Sequence, residues 1–318
     1  MSWRVLKFGG SSLATPEATR AALLQVEAAR REARPVVVVS ALGGTTDELV
    51  RLVALAAAGE PSWREGLRRL RGRHRDQLAA LAGGPPGRRA AAAIDLRLEE
   101  LERRLAGIEK LEGCPSRWRA VALAAGERLS APLFAAALAA RGVPAETVDA
   151  TELLLARGPY EEAEPDPPAS AERARGRLHA APVGAVPVVP GFFGGDTAGA
   201  TRLFGRGGSD TSATALAAAL GAERVEIWSD VDGVYAEDPR RCGSALPFAR
   251  LDYAEAERLA RAGAKVLHHK AVAPARAAGV PIHVRNTFRP EAAGTWIGPL
   301  ETARLDAAPV AAGGGGAP

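Results

Sequence analysis

Val36 to Val39 is an unbroken run of four valines, entered through Pro35 and left through Ser40-Ala41-Leu42-Gly43-Gly44-Thr45-Thr46-Asp47. Such a run cannot alternate between core and water, so it reads as a strand covered on both faces, as in a parallel sheet. Parallel neighbours need long crossover connections, and those are usually helices. The rest of the chain has the matching parts. Trp3 to Phe8 alternates apolar and polar residues as a short strand does. Gly9-Gly10-Ser11-Ser12 follows, then Thr15-Pro16, an N-cap with proline at the first helical position. Val183 to Phe193, Val225 to Trp228, Val280 to Asn286 and Gly294 to Gly298 add further strands. Strand, glycine turn and helix in succession are βα units of an α/β fold.

Between these units, residues 61 to 112 are rich in Arg, Glu, Leu and Ala with helical periodicity, broken by Gly83-Gly84-Pro85-Pro86-Gly87. They read as a helical excursion over the sheet with a solvated charged face. Gly158 to Arg175, with its prolines and glutamates, reads as a mobile surface loop. Asp252 with Glu255 forms a capping box for a helix through Ala262, and Gly263 to His268 starts the next. Adjacent His268 and His269 cannot share a helix face, so they make a poor metal pair. Residues 301 to 318 read as a flexible glycine-rich tail.

Composition excludes more than it assigns. A net charge of +4 comes from interspersed arginines and acids, with no basic run interleaved with aromatics, so nucleic acid is not an expected partner. Cys114 and Cys242 match no CxxC spacing, which suggests a reducing compartment and no metal cluster. No signal peptide is evident, nor an apolar stretch of about 18 residues. The expectation is a cytoplasmic protein without a membrane partner. Lys7, Lys110, Lys265 and Lys270 are the only lysines among 41 basic residues. Lysines that survive so strong a preference for arginine are candidates for roles that arginine cannot fill.

The candidate chemistry lies in the loops. Gly205-Arg206-Gly207-Gly208-Ser209-Asp210 runs into a helix through Leu220 and ends at Gly221. Glycines before a helix start let backbone N–H groups reach an anion, and the helix adds unpaired donors and its positive dipole end. Arg206 contributes a planar fork suited to a carboxylate or phosphate, and Asp210 a carboxylate in the first turn. Lys7 points an ammonium at whatever Gly9 and Gly10 cradle. The hydroxyls of Ser40 to Thr46 suit a polar small molecule, although Thr46 would also serve as a helix cap. Glu127 stands near a helix start, where taken alone it reads as a surface residue complementing the dipole. Ser229-Asp230-Val231-Asp232-Gly233-Val234-Tyr235 and Asp238-Pro239-Arg240 follow a strand's carboxyl end, where a nucleotide site in an open α/β sheet would lie. No GxxxxGK[ST] occurs.

Taken together, Lys7 to Ser12, Ser40 to Asp47, Gly126-Glu127, Gly191-Phe192, Gly205 to Asp210, Trp228 to Tyr235, Asp238 to Arg240, Gly263 to His268, Arg285 to Phe288 and Gly294-Thr295 resemble the catalytic domain of aspartate kinases. These belong to the amino acid kinase family, and the later stretches look most like the kinase half of bifunctional aspartate kinase–homoserine dehydrogenases. The resemblance implies a three-layer αβα sandwich around a mainly parallel, open, twisted sheet over residues 1 to 300. An N-terminal lobe of about 1–190 would bind aspartate and a C-terminal lobe of about 191–300 would bind ATP. It implies phosphorylation of the β-carboxylate of L-aspartate by ATP with Mg²⁺, a step towards lysine, threonine and methionine, in a homodimer. Residue by residue, Lys7 would neutralise the transferred phosphoryl group and Asp210 would organise the centre. Ser40, Thr46, Glu127, Phe192, Arg206 and Ser209 would contact aspartate, Arg206 at the α-carboxylate and Glu127 at the α-ammonium. Lys7, Gly9, Gly10, Ser229, Asp230, Tyr235, Arg240 and Lys265 would hold the nucleotide, with no dedicated protein metal site. Arg202, Leu203 and His269 depart from the family pattern. Members commonly continue into regulatory ACT domains or a second enzyme, so feedback by end-product amino acids is not expected within these 318 residues.

Overall fold

A computed structural model describes residues 1–182, 184–235, 246–262 and 267–299. The strands are β1 (Trp3–Phe8), β2 (Arg34–Val39), β3 (Ala145–Thr147), β4 (Ala156–Arg157), β5 (Glu164–Pro165), β6 (Val186–Pro190), β7 (Phe193–Gly195), β8 (Thr201–Leu203), β9 (Arg224–Ser229), β10 (Arg250–Leu251), β11 (Ile282–Asn286) and β12 (Thr295–Ile297). The helices are α1 (Pro16–Ala29), α2 (Thr45–Ala57), α3 (Trp63–Leu81), α4 (Gly84–Leu111), α5 (Ser116–Leu123), α6 (Ala125–Ala140), α7 (Pro167–His179), α8 (Gly208–Leu220), α9 (Tyr253–Arg261) and α10 (His269–Ala278).

One eight-stranded sheet in the order β10-β12-β11-β9-β1-β2-β6-β3 runs through the molecule. All its pairings are parallel except β11 with β12. Helix α8 lies on one face, with α7 and α10 packed against it; α1 and α6 cover the other. This is the expected αβα sandwich, and the continuous sheet crosses residue 190. The excursion over 61–112 is helical as expected, but α4 packs on α6 rather than on the sheet, adding a further helical tier. Its break falls at Ala82–Gly83, and Pro85 and Pro86 lie within α4, where the first turn tolerates residues without an N–H.

The valine run behaves as its composition demands, with Val36 to Val39 all fully buried. The alternation read in Trp3 to Phe8 does not describe its burial. β1 lies between β2 and β9, so even Arg4 and Lys7 are buried, at 6% and 8% exposure. Neighbouring side chains of β1 point to opposite faces. Phe8 stacks on Phe134 of α6 at 5.6 Å, while Lys7 meets α8.

Two other expectations are corrected. The proposed mobile loop over 158–175 contains β5 and most of α7. Asp166 caps this helix by accepting from Ala169 N at 3.0 Å, and Pro167 and Pro168 fit the first turn. Ser116–Ala140, comprising α5 and α6, is long and apolar enough to span a membrane by composition alone, at mean hydropathy 1.3, yet 89% of that window is buried in the core.

Candidate active site

The carboxyl ends of β1 and β9 meet where strand order runs outward in both directions, the position at which open α/β sheets bind ligands. Gly9 N donates to Trp228 O at 3.2 Å and closes the base of the crevice. Helix α8 starts there without a side-chain cap. Its N-cap is Gly207 at φ 71°, a left-handed conformation that glycine adopts without penalty. Helix α2 likewise begins uncapped at Gly44, so Thr46 is not the cap; it is the second helical residue, half-buried. Both helix starts keep donors and a positive dipole end for an anion.

Lys7 reaches this anion site from β1. Its Nζ lies 2.5 Å from Asp210 Oδ1, the side chains being 11% and 12% exposed. The ammonium also lies over the first glycine turn, 3.4 Å from where a Cβ on Gly9 would sit. Gly191, after β6, lies so close to α8 that a Cβ would be 2.9 Å from Ser209 Cβ and 3.0 Å from Val38 Cγ1. A side chain there would push the strand end away from the start of α8. Phe192 follows in the left-handed region at φ 77°, which costs a non-glycine residue about 1–2 kcal/mol. Phe192 O accepts from Phe204 N at 2.9 Å, and its ring lies where a Gly208 side chain would be. The strain places an aromatic wall beside the first turn of α8.

Glu127, in the first turn of α6, is the most informative group. The surface reading is wrong, because the residue is only 3% exposed. Gly126 is what permits this: a Cβ there would be 2.8 Å from Ala41 Cβ and 3.2 Å from Thr45 Cγ2. Burial pushes the Glu127 carboxyl up to about 8, against the opposing influence of the Ala41 backbone N–H, Lys7 and the Ser209 hydroxyl. Its Oε2 is buried without a hydrogen-bond partner among the described residues. A buried carboxyl oxygen left without a partner has hydrogen-bonding capacity that a group entering the crevice would fill. Ser40 follows β2 into the same region, its N donating to Phe8 O at 3.1 Å and its O accepting from Ser130 Oγ at 2.7 Å. Arg206 projects into solvent from the loop and makes no ion pair among the described residues. Arg202 and Leu203 serve the adjacent hairpin: Arg202 pairs with Asp196 at 2.9 Å, and Leu203 is buried.

Across β9, Ser229 Oγ donates to Asp230 Oδ1 at 3.2 Å, and Ser11 Oγ reaches the same oxygen at 3.5 Å. Tyr235 is buried, its phenol raised by burial and by Asp232. Arg240 and Lys265 lie outside the described residues. Sequence reading missed the frame of this half: Asn286 Nδ2 donates to Asp232 Oδ1 at 2.6 Å, and Thr295 Oγ1 accepts from Val234 N at 2.8 Å. It also missed Glu162 and His268, which flank the glycine loop. The expected helix start at Gly263 lies outside the described residues; α10 begins at His269, with His268 as its cap, and the two imidazoles lie 4.2 Å apart.

Residues 2–286 match the model of the amino acid kinase family. The chain is similar to aspartokinase 1, chloroplastic, of Arabidopsis thaliana, 36% identical over 92% of this chain and 51% of that protein. It is also similar to the bifunctional aspartokinase/homoserine dehydrogenase of Haemophilus influenzae, 35% identical over 92% of this chain and 36% of that one. The crystal structure of E. coli aspartokinase III in complex with aspartate and ADP superposes with a TM-score of 0.83 at 33% identity, covering 93% of this chain and 64% of that one. The chain thus spans only about a third to two thirds of these relatives' lengths.

Proposed function

The chain belongs to the amino acid kinase family, and on that premise we propose that it transfers the γ-phosphoryl group of ATP to the β-carboxylate of L-aspartate. The observation that carries this reading is the orphaned, buried Oε2 of Glu127. An acceptor with a free α-ammonium supplies the missing partner, and the unpaired guanidinium of Arg206 suits its α-carboxylate. The aspartokinase relatives, and the neighbour solved with aspartate and ADP, support the choice of acceptor and donor.

Phosphoryl transfer to a carboxylate asks little beyond alignment and neutralisation of anionic oxygens. The acceptor is ionised at neutral pH and needs no general base. Lys7, held by Asp210 at the mouth of the glycine turns, supplies positive charge where the transferred group gains negative charge. The uncapped start of α8 binds phosphate oxygens, and Ser229, Asp230 and Tyr235 border the nucleotide. The described residues hold no cluster of His, Cys, Asp or Glu able to cage a cation. Mg²⁺ would be carried on the ATP phosphates and would neutralise their charge, and Asp210, beside Lys7 in the first turn of α8, is a carboxylate that could help hold it.

A kinase of another carboxylate in the same family is the second reading, and an idle homologue the third. Coupled ADP release with aspartate, glutamate and N-acetylglutamate separates them. Turnover with aspartate is expected. Preference for N-acetylglutamate, which has no ammonium, would refute the role given to Glu127, and no turnover with any acceptor would favour the idle homologue.

A further inference from the structure

The loop that carries Arg206 is gripped from both sides by residues outside the site described above. On one side, a Cβ on Gly205 would lie 2.5 Å from Glu162 Oε1. On the other, a Cβ on Gly207 would lie 2.9 Å from His268 Cγ. Both glycines have φ 71°, so Arg206 stands at the crest of a turn whose two shoulders meet the Glu162 and His268 side chains. Those side chains are joined. Lys270 Nζ forms an ion pair with the Glu162 carboxylate, and Lys270 N donates to His268 Nδ1 at 3.4 Å. Burial, together with the positive charges of Lys270 and Arg206 and the neighbouring His269, holds the His268 imidazole below its ordinary range despite Asp210. The ring therefore stays neutral and does not repel Arg206.

Lys270 is one of four lysines in a chain with 37 arginines. Lys7 is in the catalytic crevice, whereas neither the glycine turns nor the nucleotide region uses Lys270. A single-point ammonium can end-on contact a carboxylate while the first turn of α10 packs beside the loop; a planar guanidinium makes a different, two-pronged contact.

We propose that Glu162, Lys270 and His268 are positioning residues that clamp the Gly205–Gly207 turn and so aim Arg206 at the acceptor's carboxylate. The inference rests on the assignment of Arg206 to the acceptor. The clamp bears chiefly on acceptor affinity and selectivity, because Glu162 and His268 meet Gly205 and Gly207 on either side of Arg206, whereas Lys7 and Ser229 are carried by β1 and β9. Glu162 and Lys270 are 59% and 35% exposed, so their ion pair is of the weak, partly solvated kind and its loss has a modest effect on folding.

The test is steady-state kinetics on the full chain, varying aspartate and ATP separately, for Lys270→Met, Lys270→Glu, and Lys270→Glu combined with Glu162→Lys. Arg206→Ala is measured alongside. Lys270→Met should raise the aspartate KM about three- to fivefold, with kcat and the ATP KM within twofold. Lys270→Glu should raise it further, because two carboxylates then face each other. The charge-swapped double variant should return it to within about threefold of wild type, which a merely structural role in α10 would not do. An unchanged aspartate KM in Lys270→Met, equal rises for both substrates, or failure of the swap to restore would overturn the clamp. If Arg206→Ala raises the aspartate KM while the Lys270 variants do not, the clamp alone falls. If Arg206→Ala affects ATP instead, the acceptor assignment itself falls.

Discussion

Glu127→Gln should make the protein more stable while impairing its use of aspartate. The wild-type carboxyl has a folded value of about 8 against an ordinary 4.5, because it is buried. Between those values the unfolded chain is ionised while the folded chain keeps the proton. The folded state binds more protons, so stability falls as pH rises. The loss is complete once pH exceeds the folded value. At 1.36 kcal/mol per pH unit it reaches about 3 kcal/mol at pH 7 and about 5 kcal/mol above pH 8. Glutamine has similar shape and no charge, so it escapes this loss. Urea unfolding of both proteins without substrate, at pH 5, 7 and 8.5, should show a stability gain for Glu127→Gln that is small at pH 5 and grows with pH. The same variant should raise the aspartate KM at least tenfold and the ATP KM by no more than about threefold, because the acceptor's ammonium loses its counter-charge. In the wild type, ammonium binding must drive Glu127 to ionise, so the aspartate KM should fall roughly tenfold from pH 6.5 to 8. A stability difference that is flat or shrinks with pH would show that Glu127 is ionised in the empty site, and the argument from its orphaned oxygen would fail.

Lys7→Ala should remove most turnover without unfolding the chain; retention of more than about a tenth of wild-type kcat, under roughly 1.4 kcal/mol of lost transition-state stabilisation, would refute its role. Arg206→Ala should raise the KM for aspartate far more than that for ATP, and equal effects would mean that the loop serves nucleotide phosphates. His74 and His283 are both buried with imidazoles depressed to about 4, so acid should destabilise the fold between pH 6.5 and 4, where the unfolded imidazoles take up protons that the folded ones refuse. His74 Nε2 has no partner among the described residues and Nδ1 meets only the Leu70 carbonyl of its own helix, so His74→Leu should abolish about 2 kcal/mol of the stability drop between pH 7 and 5; identical pH slopes in urea unfolding would refute this.

Where local chemistry decides structure, the chain could be read directly. Val36 to Val39 had to be covered on both faces, Thr15-Pro16 had to start a helix, and Gly205 to Asp210 had to leave a helix start open to an anion, since each follows from side-chain shape or backbone freedom within a few residues. α7 was missed because its capping residue and prolines are also what a loop contains, and its docking against α8 decides between the two.

The hidden part of the site depends on residues far apart in sequence. Glu127 looks like a surface acid because nothing within a turn of it announces burial; Ala41, Lys7 and Ser209 surround its carboxyl, and they arrive through other elements. Glu162 sits in a stretch whose composition suggests solvent, and its closeness to Gly205 and its pairing with Lys270, both reached through the fold, are what bring it to the Arg206 turn. The strained backbone of Phe192 has no signature in its side chain at all. A loop able to bind an anion is therefore visible in sequence because glycines and a helix start define it locally. Acceptor recognition is harder to see, because it depends on how several such loops are pressed together, and that is set by the sheet order which brings β1, β2, β6 and β9 to one crevice.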